Sequence, residues 1–443
     1  MTAPSLLPRV APPRAVRLPT VAERTLSNGL RVLAVRRAGV PLVELRLRIP
    51  FAGAGHQYTA RATLLAETLL SGTPLRDRRQ LAVDVQGLGG ALSTSVDADR
   101  LAIAGSALAT GLGQLLEIVS DVVTSATYPK SEVTGERDRM VQELMMARSQ
   151  PSVLAREALL GRLYPGHPYG SDLPAADAVA DVKAGALRKL HAKRVSPAGA
   201  ILTLVGDLRP AQALDAVEKA LGSWRGDPAK GVPKPPKHRP GPLLLVDRPG
   251  AVQTNIRLGG PAVPRTDPRY AALQLANTVY GGYFTSRLVS NIREDKGYTY
   301  SPRSGIEHPV AGSRLTVAAD VATEVTGPAM LEVLYELGRI SLLPVGAAEL
   351  DAARSYASGT LALSTATAAG LASTLSMLAG AGVGLEYLKE HPAALAKVTP
   401  EDVLEVASEL FAPSHLVAVL LGDADKVRGP LEALGEVSLT DQS

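Results

Sequence analysis

Two stretches of this 443-residue chain, VSPAGAILTLVGD (195–207) and FAPSHLVAVLLGD (411–423), repeat one pattern. Each has a proline at its third position, then a largely apolar run, and then a Gly-Asp pair. The matched residues are each 216 positions apart: Pro197 and Pro413, Gly206 and Gly422, and Asp207 and Asp423. Apolar residues at helical spacing precede both stretches with the same offset. The pattern predicts a duplicated chain in which each half ends with a helix, a turn, a buried strand and a further helix.

The beginnings of the two halves match more weakly. RVLAVRRAG (31–39) and LLLVDRPG (243–250) both favour a strand that runs into a turn, and alternation at 42–49 predicts the next strand. Helical patterns fill the middles of both halves, at 60–70, 112–123, 130–148 and 328–342. Strands followed by runs of helices, twice over, predict an α+β fold with two duplicated domains. A cleft between the two halves is the expected ligand site.

A proline-rich segment separates the halves. Residues 225–242 contain six prolines and five Lys or Arg, a composition that favours extended backbone and cannot form a core. We interpret the segment as a linker, with a ligand for a proline-recognition domain as the alternative. The predicted division of the chain is an N-terminal extension (1–22), a first domain (23–224), the linker (225–242) and a second domain (243–443).

Composition excludes several classes of protein. A formal net charge of +4, with 43 acidic residues interleaved among the basic ones, is too mild to predict nucleic-acid binding. No apolar run approaches the ~20 residues that a membrane span needs, and the start of the chain has no signal-peptide pattern. Cysteine is absent, so the chain has no disulfide and no thiolate ligand. We expect a cytoplasmic protein that does not bind membranes.

Scarce aromatic residues gather at 270–304. Six of the 15 Tyr and Phe residues lie there, around the run GGYFTSRLVSNIREDKGYTYS (281–301). In one interpretation, the Gly-Gly pair permits close backbone approach while Arg and Tyr present donors to an acyl or carboxylate oxygen. In the other, the run is a helix, a turn at Gly297 and a strand whose rings pack in the core. Composition alone favours the second interpretation without excluding the first.

Three motifs in order resemble one known family. They are LSNGLRVL (26–33), a helical stretch from 136 to 158 followed by YPGHPYG (164–170), and the run at 281–301. Together they resemble the pitrilysin/insulinase-type zinc metallopeptidases, the inverzincins, and especially their short bacterial and mitochondrial-processing-peptidase-like members. The resemblance covers about residues 22 to 437. It implies two α+β domains, each a mostly antiparallel sheet packed with helices, arranged as a clamshell.

The zinc motif of that family is missing. Family peptidases carry H-x-x-E-H on a helix, where the two His bind zinc and the Glu is the general base. The matching positions here read TLLAE (63–67), so that Thr63 and Glu67 replace the ligands and Ala66 replaces the base. Glu143 is a candidate remnant of the third ligand, but on its own it is better explained as a solvated or ion-paired helix residue. No two of the seven His are closer than 24 positions, and no Cys is present. We predict no metal and no cofactor in this chain.

The resemblance also implies a half active site. The C-terminal domain of these peptidases supplies an Arg and a Tyr seven residues apart, which match Arg293 and Tyr300. In two-chain members, a zinc-less chain with this pair completes a partner that carries the metal. The first hypothesis is therefore the non-zinc subunit of a heterodimeric zinc endopeptidase, inactive alone, with a homologous zinc-bearing partner and peptides or small unfolded proteins as substrates. The alternatives are a catalytically inactive structural subunit and an autonomous peptide-binding protein.

Overall fold

The structure is a computed structural model that describes residues 18–228 and 231–441. The predicted N-terminal extension lies outside the described residues up to position 17. Positions 229 and 230 of the predicted linker, and the last two residues, also lie outside them. Residues 231–241 form neither helix nor strand.

The first half contains strands and helices up to residue 221. The strands are β1 (Val21–Thr25), β2 (Arg31–Arg36), β3 (Leu42–Pro50), β4 (Ala91–Val96), β5 (Arg100–Leu108) and β6 (Ile201–Gly206). The helices are α1 (His56–Thr68), α2 (Arg78–Gly87), α3 (Leu112–Ser125), α4 (Lys130–Ser149), α5 (Pro151–Leu163), α6 (Ala176–Ala180), α7 (Ala184–Arg194) and α8 (Pro210–Leu221).

The second half begins at residue 243. Its strands are β7 (Leu243–Asp247), β8 (Gln253–Ala262), β9 (Arg303–Glu307), β10 (Ser313–Ala322), β11 (Val417–Gly422) and β12 (Val437–Asp441). Its helices are α9 (Tyr270–Asn277), α10 (Arg287–Val289), α11 (Thr326–Leu342), α12 (Ala347–Ser364), α13 (Ala368–Gly380), α14 (Tyr387–Lys397), α15 (Pro400–Leu410) and α16 (Ala424–Glu432), with π-helical turns at Thr278–Gly282 and Ser290–Asp295.

Among the described residues, the strands form two six-stranded sheets of matching topology. Their orders are β1-β2-β6-β3-β5-β4 and β12-β7-β11-β8-β10-β9. Most neighbours are antiparallel; the parallel pairs are β2 with β6, β7 with β11, and β7 with β12. Five strands are equivalent in both sheets, while the outer strand comes from the start of the chain in one half and from its end in the other. The predicted fold of two duplicated α+β domains is confirmed.

The repeat is visible in the element boundaries. The bounds of β6 and β11, and those of α7 and α15, differ by the same 216 positions as the sequence repeat. The helices predicted at 112–123, 130–148 and 328–342 correspond to α3, α4 and α11 within two residues, whereas α1 begins four residues before its predicted start. Hydrophobic periodicity therefore located these elements well.

The two halves exchange one helix each. α5 of the first half packs on β8 and β11 of the second sheet, where Leu159, Leu160 and Leu163 join a buried cluster with Val417 and Val419. Each buried Leu side chain contributes roughly 1.5–3 kcal/mol of hydrophobic free energy. The second sheet therefore has a helical cover on the face opposite its own core.

The reciprocal contact is made by α13, the equivalent helix of the second half. It packs on β3 and β6 of the first sheet, where Leu371, Leu375 and Leu378 cluster with Val35 and Val205. No single described helix is long and apolar enough to cross a membrane; α12 and α13 meet that test only as a pair bent by 109°. The apolar residues of α13 are accounted for by its packing on the first sheet.

Polar contacts also join the halves. Arg156 on α5 forms a bidentate ion pair with Glu307 on β9, with N–O distances of 2.9 and 3.2 Å. The Tyr169 hydroxyl donates to Asp99 at 2.6 Å, and the second oxygen of Asp99 accepts from the Val310 amide at 2.9 Å. The hairpin tip between β4 and β5 is thus bonded to the turn between β9 and β10.

Truncation of either exchanged helix should destabilise the protein. Leu159→Ala on α5 and Leu375→Ala on α13 both remove buried side chains, so each should lower the free energy of unfolding by about 2–5 kcal/mol. Urea denaturation measures the change, and hydrogen exchange should show Leu375→Ala weakening amide protection in β3 and β6, far away in sequence. The exposed Leu363→Ala on α12 is the matched control. An effect of Leu375→Ala no larger than that of the control would contradict the packing.

Candidate functional site

The five positions that correspond to the zinc motif, 63–67, lie on α1. Thr63 donates its hydroxyl to the carbonyl of Thr59 at 3.0 Å, which holds the side chain against its own helix. Ala66 is buried, and its carbonyl accepts a hydrogen bond of 2.7 Å from Thr94 on β4. In the described part of the chain, no group of three or more His, Cys, Asp or Glu side chains is arranged to hold a metal ion. This end of α1 presents neither a pair of metal ligands nor a general base.

A positive side chain pairs with the carboxylates that remain nearby. The Arg139 guanidinium on α4 bonds Glu136 and Glu143 of the same helix and lies 3.8 Å from the Glu67 carboxylate on α1. Partial burial and the charge of Glu136 raise the pKa of the Glu67 carboxyl, and Arg139 opposes that shift. A fixed cation beside these carboxylates repels a divalent metal. Glu143 is thus an ion-paired helix residue, and the residues present do not fit zinc.

A tight reversal of the chain brings Arg293 and Tyr300 together. Arg293 lies on the second π-helical turn, which ends where the Gly297 amide donates to the Arg293 carbonyl at 3.1 Å. Gly297 has a φ of +66°, a conformation that glycine adopts without strain. The Tyr298 amide then donates back to the Ile292 carbonyl at 2.8 Å, as at many helix ends closed by glycine. The chain consequently returns along the helix, and Tyr300 lies beside Arg293.

The Arg293 guanidinium contacts two aromatic rings, an arrangement here called the aromatic clamp. Its Cζ atom is 4.7 Å from the centroid of the Tyr300 ring and 4.5 Å from that of the Phe284 ring. Tyr300 is 81% exposed and Phe284 is 61% exposed, whereas the Arg293 side chain is only 25% exposed. Exposed cation–π contacts contribute about 0.5–1 kcal/mol each. The two rings therefore help to orient the guanidinium, and both rings remain exposed to solvent.

The polar atoms of the clamp remain available to a ligand. The Arg293 side chain has an ion pair only with the adjacent Glu294 within the described chain, through Nε at 3.2 Å, and an exposed pair of this kind is weak. No described residue forms a hydrogen bond with the Tyr300 hydroxyl. Guanidinium and phenol groups donate to carbonyl, carboxylate and oxyanion oxygens. The clamp can therefore bind an oxygen that comes from outside the chain.

Buried polar contacts fix the segment that carries the clamp. Arg287 forms two hydrogen bonds of 2.7 Å with Glu349 on α12. Asn291 donates to Glu332 and Glu336 on α11, both at 2.9 Å. Burial opposes ionisation of Glu349, yet the hydrogen bonds and the charge of Arg287 lower the pKa of its carboxyl. Arg287 and Asn291 thus anchor the helical segment from which Arg293 projects.

The aromatic rings of 270–304 lie in two environments. The strand expected directly after Gly297 begins only at Arg303, and the rings buried in the second core are Tyr270 and Tyr280. Phe284 and Tyr300 are exposed and contact Arg293. Glycine at position 281 allows the backbone to lie close to Ser304, because a Cβ atom on Gly281 would lie 2.8 Å from the Ser304 hydroxyl oxygen.

The structure adds two residues that sequence reasoning did not select. Phe284 completes the aromatic clamp, and its only sequence signal was its place among the clustered rings. Arg139 pairs with the carboxylates near the altered zinc motif; its spacing of three and four residues from Glu136 and Glu143 is the signal that could have identified it. Both act through contacts with residues that sequence reasoning did identify.

Two family models match the chain. The model described as "Insulinase (Peptidase family M16)" matches residues 57–177. The model described as "Peptidase M16 inactive domain" matches residues 181–356. Between them the models span parts of both halves, with few unmatched residues between the two matches.

Similar proteins cover nearly the whole chain. An "uncharacterized zinc protease" of Mycobacterium bovis is 26% identical over 435 residues, which is 94% of this chain and 96% of that protein. A Bacillus subtilis protein of the same description is 23% identical over 412 residues, covering 89% and 97% of the two chains. Both relatives are named as zinc proteases, whereas positions 63, 66 and 67 of this chain lack the residues that a zinc protease requires.

Solved structures agree on the fold. A Pseudomonas fluorescens structure described as a peptidase M16 inactive domain has a TM-score of 0.85 and 23% identity, covering 91% of this chain and 98% of its own. A Helicobacter pylori protease has a TM-score of 0.82 and 19% identity, covering 92% and 100%. With the fold and both family models in agreement, the chain belongs to peptidase family M16, the insulinase or pitrilysin family, as a homologue with an inactive-type domain.

Proposed function

We propose that this chain is the non-zinc subunit of a heterodimeric zinc endopeptidase. It forms half of the substrate chamber and supplies Arg293 and Tyr300 in trans to a homologous subunit that carries an intact zinc motif. The observation that carries the proposal is the exposed aromatic clamp, whose donors have few partners of their own, on a chain whose positions 63–67 do not fit a metal. Peptides and small unfolded proteins are the expected substrates.

The two donors have distinct roles in this proposal. Arg293 binds a carbonyl or carboxylate oxygen of the substrate, a contact that exists before the transition state. Tyr300 donates a hydrogen bond to the oxyanion that develops during cleavage, and one such donor typically contributes ~10²–10³ in turnover. The clamp keeps both donors in place when no substrate is bound. The alternative is a catalytically inactive structural or peptide-binding homologue, in which Tyr300 would have no oxyanion to stabilise.

Zinc content tests the metal half of the proposal. The purified chain should hold no stoichiometric zinc by elemental analysis. Restoring the motif with Thr63→His, Ala66→Glu and Glu67→His should give weak binding, because Arg139 still pairs with Glu143. Adding Arg139→Gln should then raise zinc affinity by roughly 10–100-fold, the scale on which surrounding groups affect metal sites.

Arg137→Gln in the same triple variant is the matched control, since Arg137 lies on α4 but pairs with Asp138 instead. Equal gains from the two arginine substitutions would show that Arg139 does not exclude metal. Stoichiometric, tightly held zinc in the unmodified chain would contradict the proposal itself.

Turnover of the mixed complex tests the catalytic half. Tyr300→Phe should lower kcat by roughly 10²–10³, because the oxyanion loses one donor. KM, heterodimer affinity and zinc content should change little, since the ring and its contact with Arg293 remain. Arg293→Ala should also raise KM, because it removes a contact made with the ground-state substrate. Steady-state kinetics normalised to assembled complex provide the measurement.

Phe284→Leu separates orientation from chemistry in the same assay. It leaves both donors in place but removes one ring face of the clamp, so KM should rise more than kcat falls. Phe284→Tyr, which keeps the ring, is its control. An undiminished turnover for Tyr300→Phe would show that Tyr300 has no catalytic role, and it would favour the alternative function.

A further inference from the structure

A polar groove runs between α5 and the outer face of the second sheet. It consists of two adjoining cavities of about 430 Å³ each, which share Ser152 as a wall residue and are here called the α5 groove. Each cavity is within the size range of ligand pockets. The floor is formed by β8, β10 and β9, on the part of the sheet face that α5 does not cover.

The floor of the α5 groove contains a buried arginine, Arg257, some of whose N–H groups have no hydrogen-bond partner in the described chain. Arg257 on β8 is only 6% exposed. Its Nη1 donates to Asp320 at 2.7 Å and to the Ile256 and Ala319 carbonyls at 2.9 and 3.3 Å. Its Nε and Nη2 groups form no hydrogen bond with any residue in the described ranges. A buried guanidinium with unused donors is suited to an oxygen ligand.

The α5 groove carries excess positive charge. Its walls contain four arginines (Arg156, Arg248, Arg257 and Arg303) and two carboxylates (Glu307 and Asp320). Burial opposes ionisation of both carboxyls, yet the neighbouring arginines lower the pKa of each, so both are charged at neutral pH. Glu307 is already bonded by Arg156 and Arg314. The net charge of the walls is therefore positive and favours an anionic ligand.

One buried acceptor completes the site. Asn255, two residues before Arg257, donates its amide nitrogen to Asp320 at 2.5 Å. Its Oδ1 atom has no hydrogen-bond partner in the described chain, although the residue is 4% exposed. A buried amide oxygen without a partner is destabilising unless a ligand donates to it. A peptide offers such a donor in its backbone N–H.

The α5 groove begins at the segment that carries the aromatic clamp. The Thr299 hydroxyl donates to the Asp320 carbonyl at 2.6 Å, which fixes the residue before Tyr300 at the groove floor. Arg303, three residues beyond Tyr300, is exposed and has one long hydrogen bond, 3.5 Å to the Ser301 carbonyl. A peptide that contacts Tyr300 could therefore extend into the groove.

We propose that the α5 groove binds an acidic segment of a peptide. An Asp or Glu carboxylate of the ligand is held by Arg257 and Arg303, while a backbone N–H of the ligand donates to Asn255. The role of this site in choosing substrates rests on the proposed function, whereas the binding itself requires only this chain. The substrate class is thereby narrowed to peptides with acidic residues beside the cleaved bond.

Fluorescence anisotropy on the purified chain tests the site without the partner. The probes are two labelled unstructured peptides, one containing Glu-Asp-Glu and the other Gln-Asn-Gln at the same positions. The acidic peptide should bind roughly tenfold more tightly, and the preference should shrink as salt is raised. Arg303→Gln should reduce the preference several-fold, and Arg303→Glu should abolish it. Arg303 is exposed, so folding should not be affected.

Arg78→Gln is the matched control, since Arg78 is an exposed arginine on α2 of the other half. Equal affinities for the two peptides, no binding of either, or an unchanged preference in Arg303→Glu would overturn the proposal. If the chain alone prefers the acidic peptide while the mixed complex cleaves nothing, the result would support the acidic-peptide site and reject the endopeptidase proposal. A mixed complex that cleaves peptides but shows no preference for acidic ones would support the endopeptidase and reject the proposed acidic site in the α5 groove.

Discussion

The strands β6 and β11, inside the two sheets of this protein, are apolar on both faces, and each half supplies a helix that covers the outer face of the other. α5 lies on the second sheet and α13 lies on the first. Strands buried on both faces need apolar side chains on both sides, which is why β6 and β11 are almost continuously apolar. Without the exchanged helices, each half would expose the outer face of its own sheet. The duplication therefore produces one interlocked molecule, and the remaining features are arranged around that exchange.

The exchange also sets where polar chemistry can occur. α5 packs on β8 and β11 but leaves part of the outer face of β8, β10 and β9 open, and there Arg257, Asp320 and Arg303 line the α5 groove. In the first half, the residues at the positions of the zinc motif lie beside Arg139, which pairs with the nearby carboxylates of Glu67 and Glu143. Among its described residues, the first half thus lacks a group that fits a metal, while the second half exposes Arg and Tyr donors that suit an oxygen ligand. This division between the halves is the physical basis for proposing a zinc-bearing partner.

Sequence periodicity predicted the fold well because repeated apolar patterns report directly on burial. The apolar runs within 195–207 and 411–423 predicted the buried strands β6 and β11, and the helices at 112–123 and 130–148 were located closely. The pattern could not show which helix covers the outer face, since any apolar helix would satisfy it. The motif comparison identified Arg293 and Tyr300, and the structure brings them together. Phe284 contacts Arg293 through a local turn of the chain, and the α5 groove depends on contacts between distant segments; single-sequence patterns encode neither arrangement.

The division of labour between this chain and a zinc-bearing partner is tested most directly by complementation. A homologue with an intact H-x-x-E-H motif is held at constant concentration while this chain is added, and cleavage of a quenched fluorescent peptide is followed. We predict no cleavage by this chain alone, little by the partner alone, and a rate that rises to a plateau at an equimolar ratio. A partner that is fully active alone, with a rate unchanged by this chain, would contradict the proposed function.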